Sequence, residues 1–402
     1  MLKGGDAREV LVRCILGNLN TLARRNSMKK YGCIFFAAVF VLGLLMVTTN
    51  AQATEVEVPK IQLSGLIEVG GGWQDIDYKG ANPPDEEEDN SDLCLTTVEL
   101  TAEAEINEWV NVVATLLYED FTPFGFEDRE TDVEIDEAMV TIGNTEEFPV
   151  YCSAGKMYVP FGALLTNFPD DPLINAPLTL LLGETLEKAL LVGVKHEGFS
   201  VSAYAFNGDM DERHEENNVE SYGVDANYSM DDETGFDLLV GASYISNLAD
   251  SDGVTELLEE NDIDAVEDYI AGFAAYLHVG YGDFFVDGEY MTALDDIEEK
   301  DYPGVGLPAG FEAQPAVWNV EVGYNYDWGK NLQIVLKYAG SNEAELGELP
   351  ETRYGICLNQ ELFEDVILSL GYLYDDFDDE DDFIGDIEDD RDLVFAQIAI
   401  EF

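Results

Sequence analysis

The chain ends in Asp392-Leu-Val-Phe-Ala-Gln-Ile-Ala-Ile-Glu-Phe402. Val394, Ala396, Ile398, Ile400 and Phe402 share one parity, and Leu393, Phe395, Gln397, Ala399 and Glu401 share the other. In a strand these are opposite faces. One face is wholly apolar and finishes in an aromatic final residue. Upstream the pattern recurs about fifteen more times with turn signals between, the signature of a closed antiparallel transmembrane β-barrel. Near 316–328, Trp318, Val320, Val322, Tyr324, Tyr326 and Trp328 form an apolar row bracketed by aromatics. Asn319, Glu321, Gly323, Asn325 and Asp327 oppose it. Val98, Leu100, Ala102, Ala104 and Ile106 likewise alternate with Thr97, Glu99, Thr101, Glu103 and Glu105.

Working outward, strands are expected near 61–73, 97–106, 110–118, 133–142, 150–159, 187–197, 199–207, 222–230, 236–244, 266–280, 283–294, 318–328, 331–340, 351–360, 366–375 and 392–402. That is about sixteen, the even number bacterial outer-membrane barrels have. Tight turns such as Gly329-Lys330 alternate with long connections. Three of the latter are acidic, at 79–90, 248–265 and 375–391, and one of 160–186 lacks strand character. This alternation puts the long loops outside the cell and both chain ends in the periplasm.

Residues 1–53 are expected to be a leader. Met28-Lys-Lys, an apolar run to Val47 and Ala51-Gln-Ala53 make a secretory signal peptide with Met28 as the initiator and cleavage after Ala53. The barrel then occupies 54–402. The formal charge is -65, and the leader holds seven basic residues against Asp6 and Glu9, so the remainder carries about -70. Such a balance excludes nucleic acid as a partner and favours cations. Cys94, Cys152 and Cys357 are widely spaced, with no metal-binding spacing and no implied cofactor. His196, His214 and His278 sit beside no obvious nucleophile and no hydrolase motif occurs, so an enzyme is not expected.

If the apolar parity faces lipid, the opposite parity lines the lumen. Glu99, Glu103, Asp225, Asp287, Glu289 and Glu321 are then pore-lining carboxylates. The stretch 155–184 is too apolar for a solvated loop, with Leu178 to Leu182 in need of packing, and is expected to fold inward as the third extracellular loop. Lys156, Lys188 and Lys195 flank it, and Asp170, Asp171, Glu184 and Glu187 lie on or beside it, which together would make a charged constriction. Ile398, Ile400 and Phe402 form the assembly signal read by the barrel-assembly machinery. Outer-membrane lipid, lipopolysaccharide and small solutes are the other expected partners. The acidic runs Asp375 to Asp382 and Asp386 to Asp390 could alternatively hold divalent cations at the cell surface.

Gly155-Lys-Met-Tyr-Val-Pro-Phe-Gly162, the Pro/Asp run to Pro172, Glu184-Thr-Leu-Glu-Lys-Ala-Leu-Leu-Val-Gly193 and Ala203-Tyr-Ala-Phe-Asn-Gly-Asp209 resemble the LbtU-family siderophore porins. The resemblance implies a sixteen-stranded outer-membrane channel linked to uptake of ferric chelates, and carries over no residue-level chelator contacts. Residues 54–60 are too few for a plug domain ahead of the barrel, so passive, energy-independent diffusion is expected. The alternatives are a general cation-selective porin and a structural acidic barrel. A homotrimer is suggested by analogy with sixteen-stranded porins alone.

Overall fold

Strict alternation along strands forces one apolar and one polar face, and in a closed sheet no edge is left unpaired. The computed structural model describes residues 60–402 apart from 80–85, 120–132, 165–176, 213–218, 233, 261–262, 264, 303–306, 308–309, 345–348 and 378–386. The leader, Asp170 and Asp171 lie outside the described residues. Sixteen strands form the barrel: β1 (Lys60–Lys79), β2 (Glu86–Asn107), β3 (Val110–Glu119), β4 (Glu134–Gly143), β5 (Val150–Tyr158), β6 (Leu186–His196), β7 (Phe199–Phe206), β8 (Ser221–Asp231), β9 (Phe236–Ile245), β10 (Gly272–Tyr281), β11 (Phe284–Ala293), β12 (Ala316–Asp327), β13 (Asn331–Asn342), β14 (Thr352–Phe363), β15 (Val366–Asp376) and β16 (Ile387–Glu401). Each pairs antiparallel with the next, and β16 closes on β1 with Leu66 opposite Glu401 and Trp73 opposite Val394. No helix among the described residues is long and apolar enough to cross a membrane.

The parities fall as the alternation dictates. Val320, Val322, Tyr326 and Trp328 are exposed on the outer surface, whereas Asn319 and Glu321 face inward. Val394, Ile398, Ile400 and Phe402 likewise point outward. Outward aromatics gather near both ends of the wall. Phe199 meets Tyr228 and Phe284 meets Tyr324 at the end with the short turns, each pair 4.6 Å between ring centroids. Tyr338 meets Tyr354 at 5.3 Å and Tyr222 meets Tyr244 at 6.2 Å toward the other end. At the seam, Phe402 exchanges two backbone hydrogen bonds with Gly65 (2.8 and 3.0 Å), and its ring lies where a side chain on Gly65 would be.

Three expected boundaries are corrected. Within the acidic stretch at 79–90, Glu86 to Asn90 are strand, paired with Tyr78 to Gln74. Residues 387–391, expected in a loop, belong to β16. In both places the ladder satisfies the backbone. The strand expected at 266–280 begins only at Gly272. Ala265–Val266 instead pairs in parallel with Asp211–Glu212.

The described residues of the connections 207–220, 246–271 and 294–315 build a cap at the long-loop end. It holds the helix α2 (Asp252–Glu260), and a short helix α1 (Leu180–Gly183) comes from the third long loop. Val254 and Leu258, four residues apart on α2, bury one helical face. Phe161, Leu178, Leu182, Leu248, Leu258, Ile270 and Met291 share one apolar cluster joining cap, loop and inner wall.

Candidate functional site

The third long loop turns inward directly after β5. Gly162 adopts φ +77° and Leu164 φ 47°, the left-handed region that reverses the chain there. Gly162 N donates to Ser243 Oγ on β9 at 2.7 Å. Ala163 N and Leu164 N donate to Glu289 Oε1 on β11 at 2.6 and 3.1 Å, and Thr179 Oγ1 donates to Glu289 Oε2 at 2.6 Å. One wall carboxylate thus ties the two ends of the loop to the opposite side of the barrel. A Cβ on Gly162 would lie 2.1 Å from Met291 Cε and 2.7 Å from Glu289 Oε1, so only glycine fits this close approach.

The cap holds the loop from above. Asp252 N donates to Glu184 O at 2.8 Å, Ser251 Oγ to Leu181 O at 3.2 Å, and Leu186 N to Asp252 Oδ1 at 3.2 Å. Asp250 accepts from Ser221 Oγ at 2.5 Å and Met210 N at 3.3 Å. Burial pushes the Asp250 and Asp252 carboxyls up to about 6, with nearby Asp209 adding repulsion.

The inner wall carries a charged row that strand register assembles. His278 on β10 is opposite Asp287 on β11, Asp287 opposite Glu321 on β12, and Glu321 opposite Lys337 on β13. His278 Nδ1 lies 2.5 Å from Asp287 Oδ1 and its Nε2 2.5 Å from Asp237 Oδ1. Lys337 Nζ lies 3.1 Å from Glu321 Oε1. Toward the long-loop end, Arg353 on β14 and Arg391 on β16 flank Asp375 on β15. Arg353 donates from Nε and Nη2 to its two oxygens at 2.6 and 2.9 Å, and Arg391 donates from Nε and Nη2 to Oδ2 at 3.1 and 2.7 Å. Because β16 closes on β1, Glu99 and Glu103 on β2 lie two strands from Arg391 on β16, four from Arg353 on β14 and five from Lys337 on β13.

The expected site residues divide accordingly. Glu99 and Glu103 lie on the inward parity, accepting from Thr101 Oγ1 at 2.6 Å and Asn111 Nδ2 at 2.8 Å. Asp225 accepts from Tyr276 OH at 2.6 Å and Asn227 Nδ2 at 2.7 Å. Asp287 and Glu321 meet in one row, while Glu289 anchors the loop instead of facing open lumen. Lys156 and Lys195, expected at one constriction with Glu184, are not brought together. Lys156 shares the outward parity of Cys152 and Ala154 near the long-loop end. Lys195 lies near the short-turn end, its Nζ 5.3 Å from the centre of the Tyr151 ring. Residues 156 and 195 have opposite strand parities, which separates them. Asp375, expected in a solvated acidic loop, is instead the shared counter-ion of two arginines.

Lys337, Arg353, Arg391 and the His278 pairing escaped the sequence reading. Their parity was available, but their partners depend on register between strands. Cys94 and Cys357 belong to an inward apolar cluster with Phe395, and no disulfide joins the three cysteines among the described residues. No group of three or more His, Cys, Asp or Glu among the described residues is arranged to hold a metal ion.

No protein-family model matches the chain. It is 27% identical over 327 residues to a UPF0422 protein of Coxiella burnetii, covering 79% of this chain and 65% of that protein. It is 24% identical over 341 residues to a UPF0422 protein of Legionella pneumophila, covering 79% of this chain and 59% of that protein. The chain thus spans less than two thirds of the length of these relatives. Among solved structures, it superposes on an anion-selective porin from Comamonas acidovorans with TM-score 0.56 and 12% identity, covering 86% of this chain and 100% of the porin. Salmonella typhi OmpF gives TM-score 0.55 and 14% identity, covering 86% and 98%. The outer membrane channel DcaP of Acinetobacter baumannii gives 0.50 and 13%, covering 88% and 100%. The chain shares the closed sixteen-stranded fold of outer-membrane porins.

Proposed function

We propose that the chain is an outer-membrane porin through which small solutes diffuse passively. The observation that carries this reading is the opposition of faces on a closed wall: apolar residues flanked by aromatics point outward, and carboxylates and guanidiniums point inward. Only a lipid exterior and a wet interior make both faces favourable at once. Both ring nitrogens of His278 are engaged by carboxylates, and a channel needs no nucleophile, so the reading does not include enzymatic chemistry. Assembly as a homotrimer belongs to this proposal by analogy with other sixteen-stranded porins.

The preferred cargo is a ferric chelate, as the sequence resemblance to siderophore porins implies. Arg353 and Arg391, two guanidiniums on the single carboxylate of Asp375, would favour the carboxylates of an anionic chelate, and the acids of β2 its cationic parts. General cation selectivity is the alternative, supported by the excess of acids over bases. The test is single-channel recording in planar bilayers with reversal potentials in a salt gradient, paired with flux of radiolabelled ferric chelates into proteoliposomes. Conductance with saturable chelate flux supports the preferred cargo. Conductance with cation preference and no chelate flux supports the alternative. Absence of conductance from a folded, heat-modifiable barrel overturns the channel reading.

A further inference from the structure

We propose that Lys156 and Lys188 form a docking site on the outer surface of the barrel for a lipid A phosphate of lipopolysaccharide. The two lysines are directly opposite each other across β5 and β6. Both are on the outward row: Lys156 follows Cys152 and Ala154, and Lys188 precedes Leu190, Val192 and Val194. Each lies two residues from the long-loop end of its strand, beside Tyr158, whose ring is exposed on the same face and whose hydroxyl donates to Asp136 at 2.8 Å.

Directly opposed residues hold their Cβ atoms about 5 Å apart, and like charges there repel. The repulsion is stronger beside hydrocarbon than in water. Lys156 has partners on β4: its Nζ donates to Ile135 O at 2.8 Å and lies 3.9 Å from Glu134 Oε2. Glu134 is itself 64% exposed and offsets one positive charge in water. Lys188 is exposed, and Glu187 beside it points the opposite way, into the barrel. Two ammonium groups side by side on a lipid-facing wall are matched by one multiply charged, multidentate anion. At the long-loop end, the anion within the membrane interface is the lipid A phosphate. The rest of the chain carries a large negative charge that repels such phosphates, so a local basic pair is what would fix one there.

This inference rests on the outer-membrane reading but not on solute passage, and binding to the detergent-folded barrel tests it apart from either. Native mass spectrometry of the purified full-length barrel would be titrated with rough lipopolysaccharide and with its dephosphorylated form. The paired variant Lys156→Gln/Lys188→Gln is expected to weaken binding of the phosphorylated form roughly thirty-fold, at about 1 kcal/mol for each lysine near an anionic lipid surface. Lys156→Arg/Lys188→Arg should retain binding, and Lys195→Gln should leave it unchanged. The effect should shrink with added salt. Less than about a three-fold change in the Gln pair, or an equal loss for dephosphorylated lipopolysaccharide, would overturn the site. Heat-modifiability of each variant confirms that the barrel tested is folded.

Discussion

Glu289 is expected to hold the inward loop in place, and Glu289→Gln tests this most directly. The carboxylate accepts from Ala163 N, Leu164 N and Thr179 Oγ1 at 2.6, 3.1 and 2.6 Å. Hydrogen bonds to a charged group contribute about 1.5–3 kcal/mol each, and three on one side chain are not additive. A glutamine retains one acceptor oxygen and loses the charge, so the net loss is about 3 kcal/mol. That shifts the balance between docked and undocked loop roughly 150-fold. Gly162→Ala attacks the same contact from the loop side, where the added methyl would meet Met291 and Glu289. Thr179→Val removes one bond and should give an intermediate effect. In planar bilayers, Glu289→Gln and Gly162→Ala should raise mean single-channel conductance and current noise together. Unchanged conductance, noise and solute flux in both variants, with normal yield of folded barrel, would refute the anchoring role.

Other expectations follow from the same geometry. The Asp250 and Asp252 carboxyls are raised from 3.8 to about 6, so their protonated forms favour the folded cap. That contribution is full below about pH 4 and is lost as pH rises through about 6; for Asp250 it is on the order of 3 kcal/mol. Hydrogen exchange in 248–260, corrected for intrinsic rates, should therefore be faster at about pH 7.5 than at about pH 5. Asp250→Asn should flatten the difference, and a pH-independent profile in the wild type would contradict it. Glu99→Gln/Glu103→Gln should move the reversal potential toward anion preference at low salt, and Arg353→Gln should move it the other way. Both shifts should fade as the Debye length falls from ~10 Å at 0.1 M to ~3 Å at 1 M. Shifts of the same sign would contradict the placement of both groups on the lumen face. Deleting Phe402 removes two backbone bonds and the ring over Gly65 at the seam, and should sharply reduce heat-modifiable barrel in the outer membrane; normal yield would remove Phe402 from the assembly signal.

Alternation alone placed Val320 and Ile398 on the outer face and Glu99 and Glu321 on the inner one, and the count of such segments made a sixteen-stranded barrel legible before any coordinates. A two-residue period is local, so parity is readable from the chain. The apolar run Leu178 to Leu182 also announced that its loop must pack on something. The partner was not legible. Glu289 lies 110 residues beyond Thr179, and only closure of the barrel places β11 against the loop. The row from His278 to Lys337 depends on the stagger of four strands, because a shift of one residue would send every side chain to the other face. Lys156 and Lys195 looked like neighbours around one loop, yet their parities send them to opposite sides of the wall. Asp375 looked like one more solvated acid in a run, until the pairing of β14, β15 and β16 set two guanidiniums against it. Which face a residue takes is decided within its own strand; which residue it meets is decided by long-range register, and that exists only in the closed barrel.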